Sequence, residues 1–377
     1  MDFKLTEEQQ MLQETAARLV RDAYTFDKRE KFSASETGFS PEFWQQMGEL
    51  GLTAIPFPEE LGGFGGTGVE NMLIMQELGR GICLEPYMES VILAGGLITQ
   101  LGSDSQKEEL LGAIATGQLQ AAVALDEPSS HYLLNDVQTT AKQDGNKWSL
   151  SGRKAVVIGG HTAGKILVSA RTAGDVRDEK GISLFIVDPS TTGVSRRDYA
   201  TVDGRKGCEL FLDNAQGELL GQAGDAYAAI NYQAGRAIAA LCAEAIGAME
   251  VACDMTLDYL KQRKQFGVPI GKFQALQHRM VDMRTELEQA TSMTILAACV
   301  ADEADDVERS RTLNAAKFLV NRSARKVAEE AIQLHGGIAM TWEYSCAHYA
   351  KRLVMISHQL GDDDHHLEAY AKLMSVA

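Results

Sequence analysis

No CxxC pair occurs in this chain. Its six cysteines (Cys83, Cys208, Cys242, Cys253, Cys299 and Cys346) are scattered, which argues against a disulfide framework or a zinc site and points to reduced thiols in a cytoplasmic enzyme. No apolar run approaches the ~18 residues a membrane span requires. The start, Met1-Asp2-Phe3-Lys4-Leu5, lacks the charged-then-apolar pattern of a secretory signal and leads straight into an amphipathic segment. Positive charge is short: 36 Lys and Arg stand against 52 Asp and Glu, a net charge of −16. That balance argues against a nucleic-acid backbone or an anionic membrane as partner, though a local basic cluster can still hold an anionic ligand. No proline follows Pro269, which permits long unbroken helices to the end. Repeats and low-complexity tracts are absent.

The 377 residues suffice for two or three cores of ordinary size, and three regions are expected. Residues 1–118 read as helical. Thr6 and Gln9 form a capping box ahead of the stripe Met11, Leu12, Ala16, Leu19 and Val20. Ser40-Pro41 is a second helix start, and Thr67 or Gly68 opens a third with Met72, Met75 and Leu78. Residues 119–224 change to short β-rich runs: 137–141, 147–150, 165–168, 182–187 and 209–212. Turn signals Asp144-Gly145, Asp188-Pro189 and Asp203-Gly204 separate them, which predicts an antiparallel barrel or sandwich. In 225–377 helices return, and Phe273, Leu276, Met280, Met283, Leu287 and Ala290 form a bundle seam, inside the subunit or against another. The fold class is α+β.

Gly63-Phe64-Gly65-Gly66-Thr67-Gly68 matches GxGxxG letter for letter. A dinucleotide fingerprint needs a preceding strand, and Ile55-Pro56-Phe57-Pro58-Glu59-Glu60 has two prolines, so a glycine-rich loop between helices is expected instead. The sharpest signal lies later. Arg263-Lys264-Gln265-Phe266-Gly267 is followed by Gln274, then by Gln333-Leu334-His335-Gly336-Gly337. An arginine fork suits a pyrophosphate, Phe266 offers a flat apolar face, and Gln274 is a neutral donor and acceptor. Taken singly, these are a polar interhelical break and a glycine pair at a helix C-cap.

In this order, the segments resemble the flavin signatures of the acyl-CoA dehydrogenase family. The resemblance covers nearly the whole chain. It implies an N-terminal helical domain, a central β domain and a C-terminal four-helix bundle, with FAD held by Arg263, Phe266, Gln274, Gln333, Gly336 and Gly337 and partly across a subunit boundary. It also implies an acyl-CoA substrate, a homo- or hetero-oligomer, and an electron-transfer flavoprotein as electron acceptor. The β region departs from the pattern. Asp126 of Ala124-Leu125-Asp126-Glu127-Pro128 stands where most members have a threonine. Val156 stands for a tryptophan and Ile158 for a second threonine, residues that bond to or stack on the flavin ring in the family.

The family's reaction is α,β-dehydrogenation of a thioester, in which a carboxylate takes the α-proton while hydride leaves the β-carbon. The usual glutamate position, before Gly361, holds Leu360. The alternative position on the first helix of the last region falls on Ala237 or Gly235. Weaker candidates remain in Glu244, which pairs more naturally with a basic neighbour, and in Asp362 and Asp364, which suit an acidic helix start. No metal is expected. With Asp362-Asp363-Asp364-His365-His366-Leu367, the chain resembles the small subunit of two-subunit enzymes such as pimeloyl-CoA dehydrogenase or the steroid side-chain acyl-CoA dehydrogenases, a heterotetramer of lipid or steroid degradation with a large acyl-CoA dehydrogenase subunit. The rivals are a self-sufficient dehydrogenase with a relocated carboxylate, a flavin monooxygenase on the same fold, and a partner that binds no flavin.

Overall fold

The computed structural model describes residues 4–145 and 147–375. Met1, Asp2 and Phe3, read above as leading into the first helix, lie outside them. Helices α1 Glu7–Ala23, α2 Phe26–Ala34, α3 Pro41–Glu49, α4 Gly68–Arg80, α5 Gly96–Leu101 and α6 Asp104–Ala115 come first. The start signals act as the local chemistry dictates. Thr6 and Gln9 close a capping box, Ser40 caps α3 with Pro41 at its first position, and Thr67 with Glu70 caps α4. A π-helical stretch, Met88–Gly95, had no sequence signal.

The strands are β1 Ala121–Ala124, β2 Thr140–Asp144, β3 Lys147–Ile158, β4 Lys165–Arg171, β5 Ile182–Val187, β6 Val194–Ala200 and β7 Lys206–Leu220. Their pairings close a ring through β4, β2, β3, β7 and β5, with β6 added on β7 and β1 on β4. A closed ring leaves few open edges. Most pairings are antiparallel as expected, but β1 and one residue of β2 pair with β4 in parallel. Strands β1 and β6 were not anticipated: β1 is alanine-rich, and β6 is polar and largely exposed. Arg196, Arg197 and Asp198 guard that edge strand with charge. The barrel is filled by Leu150, Ile166, Val168, Phe185, Val187, Leu210 and neighbours.

Helix α7 Tyr227–Gln262 follows. The two-residue strands β8 Lys264–Gln265 and β9 Val268–Pro269 form a hairpin before α8 Gln274–Val300, α9 Asp306–His335, α10 Cys346–Ile356 and α11 Asp363–Ser375. Without proline, α7 to α9 run 36, 27 and 30 residues. The seam on α8 divides. Met283, Leu287 and Ala290 are buried, whereas Phe273 stays 39% exposed.

Two compact units result, each drawn from separated stretches of chain. One holds residues 1–30, 67–83 and 238–377, and the other 31–66 and 84–237. In the first, α4 lies directly against α7. A Cβ on Gly247 would sit 1.9 Å from the Gln76 carbonyl, and one on Gly79 would sit 2.1 Å from the Glu244 carbonyl. Glycine is needed at both positions for backbone-to-backbone approach.

Candidate functional site

The glycine-rich segment 63–68 follows a 3-10 turn, Glu59–Leu61, and leads into α4. With no strand ahead of it, it is a loop and not a dinucleotide fingerprint.

The two strongest motifs occupy neighbouring helix ends of one unit. Arg263 ends α7, its amide donating to Tyr259 O at 2.8 Å and its carbonyl accepting from Ile270 N at 2.8 Å. Tyr259 stacks on His335 at 4.7 Å between centroids, and His335 is the last residue of α9, just before Gly336-Gly337. The ring contact thus ties together segments some seventy positions apart. The His335 ring is fixed by a 2.8 Å hydrogen bond to Ala331 O.

What these ends present is open. Phe266 is 89% exposed at φ +55°, packed only edge-on against Phe273 at 6.1 Å. Among the described residues Arg263 has no ion-pair partner, and Arg263, Gln274 and Gln333 are surface side chains or partly so. A Cβ on Gly336 or Gly337 would meet nothing within 4 Å. Gly336 needs glycine for its φ of +66°, and packing within the chain does not account for Gly337. An unpaired guanidinium, a bare aromatic face and two glycines opening on empty space are the donor set an FAD requires for pyrophosphate, ring and adenosine. The residues fit the group.

Leu360, expected from the resemblance at a base position, lies in the turn between α10 and α11. Leu360 has φ +55° and Gly361 φ +113°. A buried lysine and a buried imidazole hold this turn by its carbonyls. Lys317 Nζ donates to Ile356 O at 2.7 Å and to Asn321 Oδ1 at 2.8 Å, while His366 Nε2 meets Leu360 O at 3.0 Å. Burial lowers Lys317 to about 8 and His366 to about 3, so the imidazole is neutral and its Nε2–H donates. Asp362 caps α11 by accepting the His365 amide at 3.0 Å, Asp363 pairs with Arg325 at 3.1 Å, and Asp364 is exposed. The aspartates serve the helix start.

Glu244 is 1% exposed, and both its oxygens accept from Arg352 at 2.6 Å. This bidentate, charge-assisted pair ties the carboxylate to a fixed cation. Arg352 carried no sequence signal, since nothing local links positions 108 residues apart. Ala237 is fully buried and Gly235 is buried beside it in α7; neither has a proton-accepting side chain.

In the barrel, Lys154 is wholly buried. Its three donors go to Glu127 Oε1 at 2.7 Å, Ser169 Oγ at 2.9 Å and Leu125 O at 3.3 Å. The other Glu127 contacts are the amides of Gln138 and Thr139. Asp126 beside them is half-buried, and burial raises its carboxyl above the usual range against the pull of Lys154. Val156 is 51% exposed at φ +52°, where the pairing of β3 with β7 shifts register between Lys154 and Val157. Seven non-glycine residues among those described have positive φ, and Val156, Phe266 and Leu360 are three of them. Such strain gathers where something other than the fold demands it.

Known proteins bear on this geometry. The family models for the acyl-CoA dehydrogenase N-terminal, middle and C-terminal domains match residues 6–118, 122–215 and 227–374. A probable acyl-CoA dehydrogenase of Bacillus subtilis, YngJ, is 33% identical over 359 residues, 91% of this chain and 92% of that protein. A solved variant of the steroid ACAD Tcur3481-Tcur3483 superposes with a TM-score of 0.89 at 29% identity, covering 98% of each chain. PigA, solved with FAD and proline, gives 0.91 at 25% identity over 100% of both.

Proposed function

The chain belongs to the acyl-CoA dehydrogenase family of FAD-dependent oxidoreductases, and from that premise we propose that it is the small subunit of a heteromer that dehydrogenates an acyl-CoA thioester between its α and β carbons. The observation that carries this reading is the side-chain chemistry at the two base positions. Leu360 occupies one, and Ala237 or Gly235 the other, so the chain brings no proton acceptor there. Three of the four nearby carboxylates are committed elsewhere, Glu244 to Arg352, Asp362 to the His365 amide and Asp363 to Arg325, while Asp364 is exposed to solvent.

When bound, FAD supplies the acceptor for the β-hydride. This chain's share is binding and orientation. Arg263 offers its fork to the pyrophosphate, Phe266 its face to a ring, and Gln274, Gln333, Gly336 and Gly337 their polar edges and open backbone. The exposure of Phe266 and Arg263 supports a second subunit covering this end, and the large subunit brings the base. Electrons then pass to an electron-transfer flavoprotein. The resemblance to a steroid ACAD pair supports a bulky acyl group.

The test is turnover. Purified alone and saturated with FAD, the chain reduces an artificial electron acceptor with acyl-CoA at no more than a thousandth of the rate of the complex co-purified from its native source. Comparable rates from the lone chain would overturn the small-subunit reading. A rate per folded molecule of the lone chain that falls with Asp364→Asn or Glu244→Gln, at unchanged stability, would point to a self-sufficient enzyme.

A further inference from the structure

A cavity of about 680 Å³ opens between the last turns of α7, the first turns of α8 and the segment that joins them, all within one compact unit. Its walls are apolar: Cys253, Leu257 and Leu260 from α7, Pro269 from β9, and Met280 and Val281 from α8. Cys253 and Leu260 are buried, while Leu257 and Val281 stand exposed at the mouth. The lining follows both helices. On α7 it runs from Cys253 to Lys261, about 12 Å at 1.5 Å per residue, and on α8 from Gln277 to Arg284, about 10 Å. The hollow is therefore a slot about two helical turns long. Charge is sorted along it. Lys261 and Lys272 flank the end nearest the connecting segment, and Asp254 and Arg284 the other end. Arg284 is paired with Glu288 at 2.8 Å. Lys261 and Lys272 enter no ion pair among the described residues, in a chain whose net charge is −16. Beside the slot, Asp258 on α7 and His278, Asp282 and Thr285 on α8 are exposed. This polar collar confines the apolar area to the hollow, whereas a lasting protein interface needs roughly 1,000 Å² of matched surface. Apolar walls with a few polar groups, in a volume of this size, suit a small molecule.

We propose that this slot binds an aliphatic chain with an anionic head, of the size of a medium-chain fatty carboxylate, with the head on Lys261 and Lys272 and the tail laid between α7 and α8 toward Cys253. The inference does not depend on the flavin reading above. The tail is what the walls ask for: each methylene buried against Leu257, Leu260, Met280 and Val281 adds about fourfold in affinity. The head is what the charges ask for. Two ammoniums without a carboxylate partner stand at one end, while at the other a carboxylate would meet Asp254 and a guanidinium already held by Glu288. The polarity of the slot thus fixes which way the molecule lies. Both lysines are exposed, so the head keeps its contact with water and no charge is buried to form the pair.

Isothermal titration calorimetry with decanoate, below its micelle-forming concentration, tests this on the delipidated full chain, alone and in any assembly that co-purifies. One decanoate binds per chain. Hexanoate, four methylenes shorter, binds at least about tenfold more weakly. Decyltrimethylammonium, with the same tail and a cationic head, also binds at least about tenfold more weakly, because the lysines repel it. Replacing both lysines, Lys261→Ala with Lys272→Ala, lowers decanoate affinity by about fivefold or more and removes most of its advantage over the ammonium. Val281→Glu, at an exposed position where the fold tolerates a charge, sets an anion in the mouth and abolishes decanoate binding. Equal binding of the anionic and cationic amphiphiles overturns the proposal, as does decanoate binding that is unchanged in both variants or absent from the wild type. Decanoate bound by the lone chain and refused by the assembly overturns it as well, and marks the slot as a face that another subunit covers.

Discussion

Glu244 shows how a residue that reads as chemistry in one dimension becomes architecture in three. The sequence left it as a weaker candidate base, but its carboxylate lies 1% exposed in a two-bond grip from Arg352. A buried pair of this kind is costly to break from one side, because the remaining charge loses its counterion away from water. Glu244→Gln should therefore lower the unfolding free energy by about 3 kcal/mol, read from the urea midpoint, while the rate per folded molecule of the assembled enzyme stays unchanged. A rate loss beyond tenfold without loss of stability would return Glu244 to the chemistry. Leu360 is the converse: an aliphatic side chain at φ +55° whose carbonyl is held by neutral His366, so the turn keeps a defined shape although the side chain at its tip cannot accept a proton.

Between elements, the contact of α4 with α7 is set by absent side chains. Gly247 and Gly79 let two backbones touch where any Cβ would overlap a carbonyl. Gly247→Ala forces the helices apart and should cost about 3 kcal/mol, the upper end for overpacking, seen as a lower urea midpoint with unchanged slope. Wild-type stability in that variant would mean that α4 shifts freely on α7. The helix starts were readable because capping is local: Thr6, Ser40 and Thr67 each bond an amide two or three residues ahead. Strands β1 and β6 were not, since an alanine run and an exposed polar run carry no period-two signal. Pairing with β4 and β7 makes them strands.

At the scale of the molecule, the unpaired Arg263 and the exposed Phe266 make sense as half of a site completed by something outside the chain. Arg263→Ala should weaken FAD binding by about tenfold to a hundredfold, the worth of a charge-assisted hydrogen bond, with light scattering showing an unaltered assembly. Unchanged affinity would remove Arg263 from the pyrophosphate. The deficit of positive charge over the whole chain does not oppose this, because among the described residues no ion pair offsets the charge of Arg263.

By itself the sequence determined the family, the α+β class and the helix starts, because each depends on short-range chemistry or on residue type alone. It also placed Arg263 and Gln333 in one proposed role. Only the tertiary structure decided that Tyr259 and His335 draw those two segments together, that Arg352 claims Glu244, that Lys154 spends its donors away from Asp126, and that compact units form from interleaved stretches of chain. Those outcomes turn on which side chains meet across tens to hundreds of residues, where burial and the need to satisfy every desolvated charge choose the partner and local pattern has no vote.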